Sequence, residues 1–364
     1  MPSWLTDRRR ATSRDPCSPG FVTSPVTHGL LGPRRRTSET IRYVSRPHPT
    51  SSHREQRVSL CLDSLHGLSV GDALGAQYFV PDNDPARLLQ DGVAPEGPWE
   101  WTDDTDMACT VAAELVQHGD IDRDRLALDF AHRCDPYRGY GAGAVQVLHQ
   151  IRDGVPWQQA TVAAFPTGSY GNGAAMRIAP LGAYFAGDLD RVAEQAIRAS
   201  EVTHAHPEGI AGAVVTAVAS SYVAQSRLVG VVPTPGGVLD AVGRYLLPGA
   251  TAKGVAEALT LGEVSVEEAA WRLGNGSRVS AQDTVPFCLW AATTRLNDYP
   301  AAISACIEAG GDVDTTAAIV GGIVATFTGV GQRDNVIGVP EPWLSQREPL
   351  PDWMPPARGL SQGV

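Results

Sequence analysis

Lysine is almost missing from this chain of 364 residues: Lys253 stands alone against 28 arginines. No Gly-Lys-Ser/Thr triplet occurs, so a phosphate-binding P-loop is excluded. The replacement of Lys by Arg, together with abundant Ala and Gly, reads as genome composition rather than function. The six cysteines (17, 61, 109, 134, 288, 306) fall far apart. They form no CxxC and no Cys/His zinc spacing, and a chain of this length needs no disulfide framework. Reduced thiols and a cytoplasmic location are the expectation. No apolar run is long enough to span a membrane. No apolar stretch follows Arg8-Arg9-Arg10, so that triplet is not expected to be a leader. Alternating strand patterns, heptads and fixed-period repeats are also lacking.

Charge is present but divided. Residues 1–57 hold 11 of the 29 basic residues and four acids, which leaves the rest of the chain at −18. An acidic body argues against nucleic acid as an obligate partner and suits a site that gathers carboxylates around cations. Residues 1–57, rich in Arg, Ser, Thr and Pro, are expected to be a disordered extension. Residues 336–364 are expected to be an irregular, Pro-rich tail.

Between these ends the pattern is helical. Apolar residues recur at i, i+3 and i+4 near 105–117, 122–134, 174–186, 189–200, 208–226, 282–296 and 312–328. Asp120 or Asp122 and Asp188 are candidate caps, and Gly236 is expected to punctuate a loop. The expected fold is all-α, one compact domain over 58–335, acting as a monomer.

Two acidic clusters open two of these helices. In "WEWTDDTDMACT", Thr102, Asp103, Asp104, Thr105 and Asp106 precede an apolar run. In "EAGGDVDTTAAIV", Asp312, Asp314, Thr315 and Thr316 do the same. A helix N-terminus welcomes one carboxylate as a cap. It does not account for three, which repel each other. Hard cations do: carboxylate and hydroxyl oxygens are ligands for Mg²⁺, Mn²⁺ or Ca²⁺. If the two helix starts converge, Thr102, Asp103, Asp104, Asp312, Asp314 and Thr315 supply ligands for two metals about 3.5–4 Å apart, a spacing that activates water. "DVDTTA" is not an EF-hand, because Ala317 stands where its glycine is required. Asp106, deeper in its helix, is expected to be outer-layer or solvated.

A third stretch, "TGSYGNGAAMRIAP", places Gly168, Gly171 and Gly173 before a helix, an arrangement suited to anions. Met176 takes the third glycine position of a dinucleotide fingerprint. Thr167 takes the first glycine position of a nucleophile elbow. Both readings therefore fail, and ordinary turn chemistry stays open. In "VTHAHPEGIAG", His204 and His206 precede a long Ala/Val helix. Structural capping is the plain reading, and a hydrogen bond from His204 to a phosphate or ribose is the functional one.

These pieces, in this order and with "GLSVGDALGAQYF" ahead of them, resemble the ADP-ribosylglycohydrolase family. The resemblance covers about 58–330. It implies a compact all-α fold and hydrolysis of the bond between ADP-ribose and a modified side chain or small conjugate. It implies two Mg²⁺ ions, with Mn²⁺ as substitute, held by Thr102, Asp103, Asp104, Asp312, Asp314 and Thr315. Of these, Asp103, Asp104 and Asp314 carry the catalysis. It also assigns Ser169, Tyr170, Gly171 and Asn172 to the diphosphate and ribose, with His204 as a further ligand contact. The implied partners are ADP-ribose and ADP-ribosylated proteins or small molecules, with no membrane.

One position departs from the family. Phe79 stands where many members carry a mobile Glu. Glu100 and Asp283 are the available substitutes, although a solvated acid and a helix cap explain them more simply. Phe79 therefore keeps open a catalytically impaired ADP-ribose-binding or immunity-type protein. A metal-dependent phosphoesterase is the third reading.

Overall fold

A computed structural model describes residues 51–333 and 335–355, all within one compact unit. Among the described residues the architecture is all-α, with seventeen α-helices, two short 3₁₀ turns and one antiparallel pair, Gln332–Arg333 with Val336–Ile337. The expectation for residues 1–50 and 356–364 lies outside the described residues. Residues 51–57 form the first turns of helix Ser51–Ala76. Residues 336–355 carry a short helix, Glu341–Gln346, and return to the core. There Val339 is buried and the Trp101 indole donates to Pro349 O.

The predicted helices mostly recur within two or three residues of their expected ends. Thr102 opens Asp103–His118 and left-handed Gly119 closes it. Asp122 caps Arg123–Arg133, and His206 caps Pro207–Val229. Two expectations need correction. The segment 174–186 is two helices, Gly173–Met176 and Ala179–Tyr184, because Pro180 at the second start supplies no N–H to continue the first. Gly236 lies inside helix Pro235–Gly243, where Thr234 is the cap and Pro235 presets the first turn. Helix Pro207–Val229 is long and apolar enough to cross a membrane, but most of it is buried in this fold.

The core is organised by the pairing of Ser51–Ala76 with Val313–Thr328, the most extensive helix contact among the described residues. Gly67, Gly71 and Gly75 repeat every fourth residue and put one bare face on the first helix. A Cβ at Gly71 would meet Ala317 O at 2.1 Å, and one at Gly75 would meet Asp314 Cα at 2.7 Å. The stripe therefore sets how closely the Asp314 turn approaches the first helix. Ser64 Oγ donates to Gly322 O, and the Tyr299 hydroxyl donates to Gly67 O, across the same seam. Gly71→Ala is expected to cost roughly 3 kcal/mol, because backbone rather than a flexible side chain must yield. Chemical denaturation would show this as a lower midpoint with unchanged slope.

Candidate active site

The Asp103–His118 helix starts over a buried acid that sequence reading passed by. Asp72, on the first helix, is fully buried. Its Oδ2 accepts from Thr102 N (3.0 Å), Thr105 N (3.1 Å) and Thr105 Oγ1, while Oδ1 accepts from Thr102 Oγ1 (2.8 Å). Asp72 thus holds the turn that carries Asp103 and Asp104. Burial lifts its carboxyl to about 6 against the pull of those four bonds. The available signal was an aspartate inside an apolar helix segment, "LSVGDALGA".

Asp103, Asp104, Asp312, Asp314 and Thr315 line one cavity of about 560 Å³. The two predicted helix starts therefore do converge. Thr102 is the exception: its hydroxyl is committed to Asp72 and to Asp104 N (3.4 Å), and it does not line the cavity. Burial, followed by the charge of Asp72, pushes Asp103 up to about 7. Asp104 is driven well upward by burial, then by Asp72 and Asp314. Asp314 is driven upward by burial and then by Asp312. Asp104 Oδ2 is buried without a hydrogen-bond partner. Such an orphan is costly unless something positive meets it. Hard oxygen donors, mutual repulsion and an unpartnered buried oxygen fit a divalent cation. Among the described residues, no three His, Cys, Asp or Glu side chains already close around one ion position.

The glycine-rich loop faces the acids. Gly168 has φ +80, and a Cβ there would meet His206 N at 2.3 Å. Ser169 Oγ accepts from Gly171 N (3.2 Å). Asn172 is buried, and its amide donates to Asp312 Oδ2 (2.6 Å) and Thr284 Oγ1 (3.1 Å), tying the loop to the acidic cluster. Tyr170 is half exposed and packs edge-on against His206. Ser169, Tyr170, Gly171, Asn172 and His204 all line the cavity.

His204 is supported by a residue that sequence reading missed. Arg177 is fully buried, with its guanidinium carbon 4.5 Å from the centre of the Phe130 ring. Its guanidinium donates to Ala199 O (3.0 Å) and Thr203 Oγ1 (2.8 Å). Thr203 Oγ1 lies 2.8 Å from His204 Nδ1. If the Thr203 hydroxyl, which accepts from Arg177, donates to Nδ1, the ring proton sits on Nε2. Nε2 faces Gly171 and Gly173, where that tautomer presents a neutral N–H to the cavity.

Burial and then the Arg177 charge hold His204 down to about 3. An unfolded histidine titrates near 6.5. Between these values the unfolded chain binds the extra proton, so acidification through that window destabilises the fold. Wild type is expected to lose up to about 1.4 kcal/mol per pH unit below 6.5 relative to His204→Gln. Melting of the two chains between pH 7 and 5 checks this.

Phe79, Glu100 and Asp283 are absent from the cavity lining. Phe79 and Glu100 are exposed, and Asp283 accepts from Arg278 N (2.9 Å). Asp106 is neither solvated nor at the cavity. It is buried and accepts from the Tyr140 hydroxyl at 2.7 Å.

The sequence profile of the ADP-ribosylglycohydrolase family matches residues 52–360. The chain is 30% identical over 329 residues to ADP-ribosylhydrolase ARH3 of Mus musculus, covering 78% of this chain and 86% of that one. It is 31% identical over 281 residues to the Homo sapiens ARH3, covering 68% and 74%. It is also 31% identical over 309 residues to the uncharacterised protein YegU of Escherichia coli K12, covering 75% and 89%. Among solved structures, a chain of an "ADP-ribosylglycohydrolase-related protein complex" superposes with a TM-score of 0.56 at 25% identity. That match covers 81% of this chain and 94% of the other.

Proposed function

The chain belongs to the ADP-ribosylglycohydrolase family, and from that premise we propose that it is a Mg²⁺-dependent hydrolase. Its substrate is ADP-ribose linked to a modified side chain or small conjugate, and the bond cleaved is the glycosidic one. The family is commonly metal-dependent. The observation that supports this reading is one cavity that joins acids from two distant helix starts to a glycine loop and His204.

Asp103, Asp104, Asp312, Asp314 and Thr315 would hold the metal, which supplies Lewis acidity and a more acidic bound water when present. The residues divide the remaining work. Loop N–H groups between Ser169 and Gly173 bind the diphosphate, and His204 Nε2–H donates to the ligand. Asn172, anchored on Asp312, keeps the ribose end in register with the acids. Cleavage through an oxocarbenium-like state then needs the sugar oriented and one water activated. The five described cysteines are free and buried, which suits action in the reducing cytoplasm.

A binding protein without turnover is the second reading, favoured by Phe79 lying exposed and outside the cavity where many members carry Glu. The test is a panel of ADP-ribosylated Arg, Ser and DNA substrates and O-acetyl-ADP-ribose, incubated with Mg²⁺ or EDTA. Mg²⁺-dependent release of intact ADP-ribose from at least one substrate is expected. Cleavage between the phosphates would replace this reading with a phosphoesterase. Binding of ADP-ribose without any release would replace it with the binding protein.

A further inference from the structure

Two arginines line the acid-rich cavity. Arg177 is fully buried and its guanidinium is engaged by Ala199, Thr203 and Met107. Arg278 is the opposite case, with its side chain 83% exposed. Among the described residues its close acid is Asp283, with Nε and Oδ1 3.8 Å apart. So loose and exposed a pair contributes little and is easily exchanged.

The backbone around Arg278 is nonetheless tightly held. Val279 adopts φ +50, the sole non-glycine positive φ among the described residues. A β-branched residue is strained there, and such strain persists only where the surroundings enforce it. Those surroundings are visible. Arg278 N donates to Asp283 Oδ2, and Val279 N donates to Gly276 O (2.6 Å). Asp312 N donates to Asn275 O (3.1 Å), and Ala281 N donates to Tyr170 O (3.0 Å). Ser280 also bridges to Gly171. The segment 275–281 is thus fastened at one end to the acidic turn and at the other to the glycine loop. Arg278 sits between them with its guanidinium exposed and only loosely paired to Asp283.

We infer that Arg278 binds the diphosphate of the ADP-ribosyl substrate, together with the 169–173 loop. This inference rests on the functional reading above. A diphosphate entering a cavity lined by four aspartates meets repulsion, and a single solvent-facing guanidinium beside the glycine loop offsets it. The planar fork of an arginine also matches phosphate oxygens two at a time.

The test is calorimetric titration of the full chain in Mg²⁺ with ADP-ribose and, separately, adenosine, using wild type, Arg278→Ala and Arg278→Lys. Arg278→Ala is expected to weaken ADP-ribose by about 10- to 100-fold, the scale of charge-assisted hydrogen bonds. Adenosine, which lacks phosphate, should bind all three equally, and Arg278→Lys should fall between the others for ADP-ribose. In turnover, KM should rise more than kcat falls. Unchanged ADP-ribose binding by Arg278→Ala would overturn the assignment. Equal weakening of adenosine would overturn it too, by showing that the residue shapes the loop instead. A wild-type chain that binds no ADP-ribose overturns the functional reading itself, and the assignment with it.

Discussion

Asp104→Asn is expected to abolish most ADP-ribose release while leaving the metal-free protein more stable than wild type. Asp104 is fully buried against Asp72, Asp103, Asp312 and Asp314, and its Oδ2 has no partner. An amide of the same shape removes one buried like charge, so the melting temperature in EDTA should rise. The same change removes one of the proposed metal ligands. Residues that merely support a ligand are worth about 10- to 100-fold in activity or affinity, and a direct ligand should exceed that range. Added Mg²⁺ should then stabilise wild type far more than the variant. A variant that melts earlier in EDTA and keeps its activity would show Asp104 to be a structural acid.

Asp72→Ala should fail for a different reason. Four donors, two of them peptide N–H groups, converge on this carboxylate. Each buried donor left unsatisfied costs about 1–3 kcal/mol. Against that, removing a carboxyl already lifted to about 6 relieves about 3 kcal/mol at neutral pH. The orphaned donors outweigh the relieved charge, so the unfolding midpoint should fall. Activity should fall by a further factor of about 10 to 100, because the Thr102–Thr105 turn that presents Asp103 and Asp104 loses its anchor. Asp72→Asn, which keeps one acceptor oxygen, should lie between wild type and Ala in both measurements. Wild-type stability and activity in Asp72→Ala would refute the positioning role.

The parts of the site visible in the sequence were those that break a local rule. Three acids at the mouth of one apolar helix exceed what capping requires, and the same excess at 312–315 marked the second half. The loop at 168–173 announced itself through glycine spacing. Residues that satisfy a local rule gave no such signal. Asp72 sits within a helix and Arg177 in the short turn between two, and only the tertiary structure shows Asp72 capping a helix 30 residues away and Arg177 donating to the Thr203 hydroxyl beside His204. Thr102 stands apart for a related reason. Its hydroxyl donates to Asp72 and it lies outside the cavity lining, a partnership 30 residues away that no local pattern encodes. The strained Val279 lies in a segment whose neighbours in space come from 171 and 312, pairings that no local periodicity encodes. Helices were legible in places where a cap and an amphipathic period coincided, as after Asp122 and Asp188. Others, including Ala142–Arg152, Ala250–Leu261, Val266–Leu273 and Tyr299–Ala309, fall outside the expected segments, and the single helix expected over 174–186 is divided in two at Pro180.

The starts of helices Asp103–His118 and Val313–Thr328 are proposed to form one cation site. Mn²⁺ titration followed by electron paramagnetic resonance tests it directly on wild type and Asp314→Asn. Saturable binding of two ions per chain, competed by Mg²⁺, is expected in wild type, with loss of that binding in Asp314→Asn. Binding that is absent in wild type, or unchanged in Asp314→Asn, would contradict it.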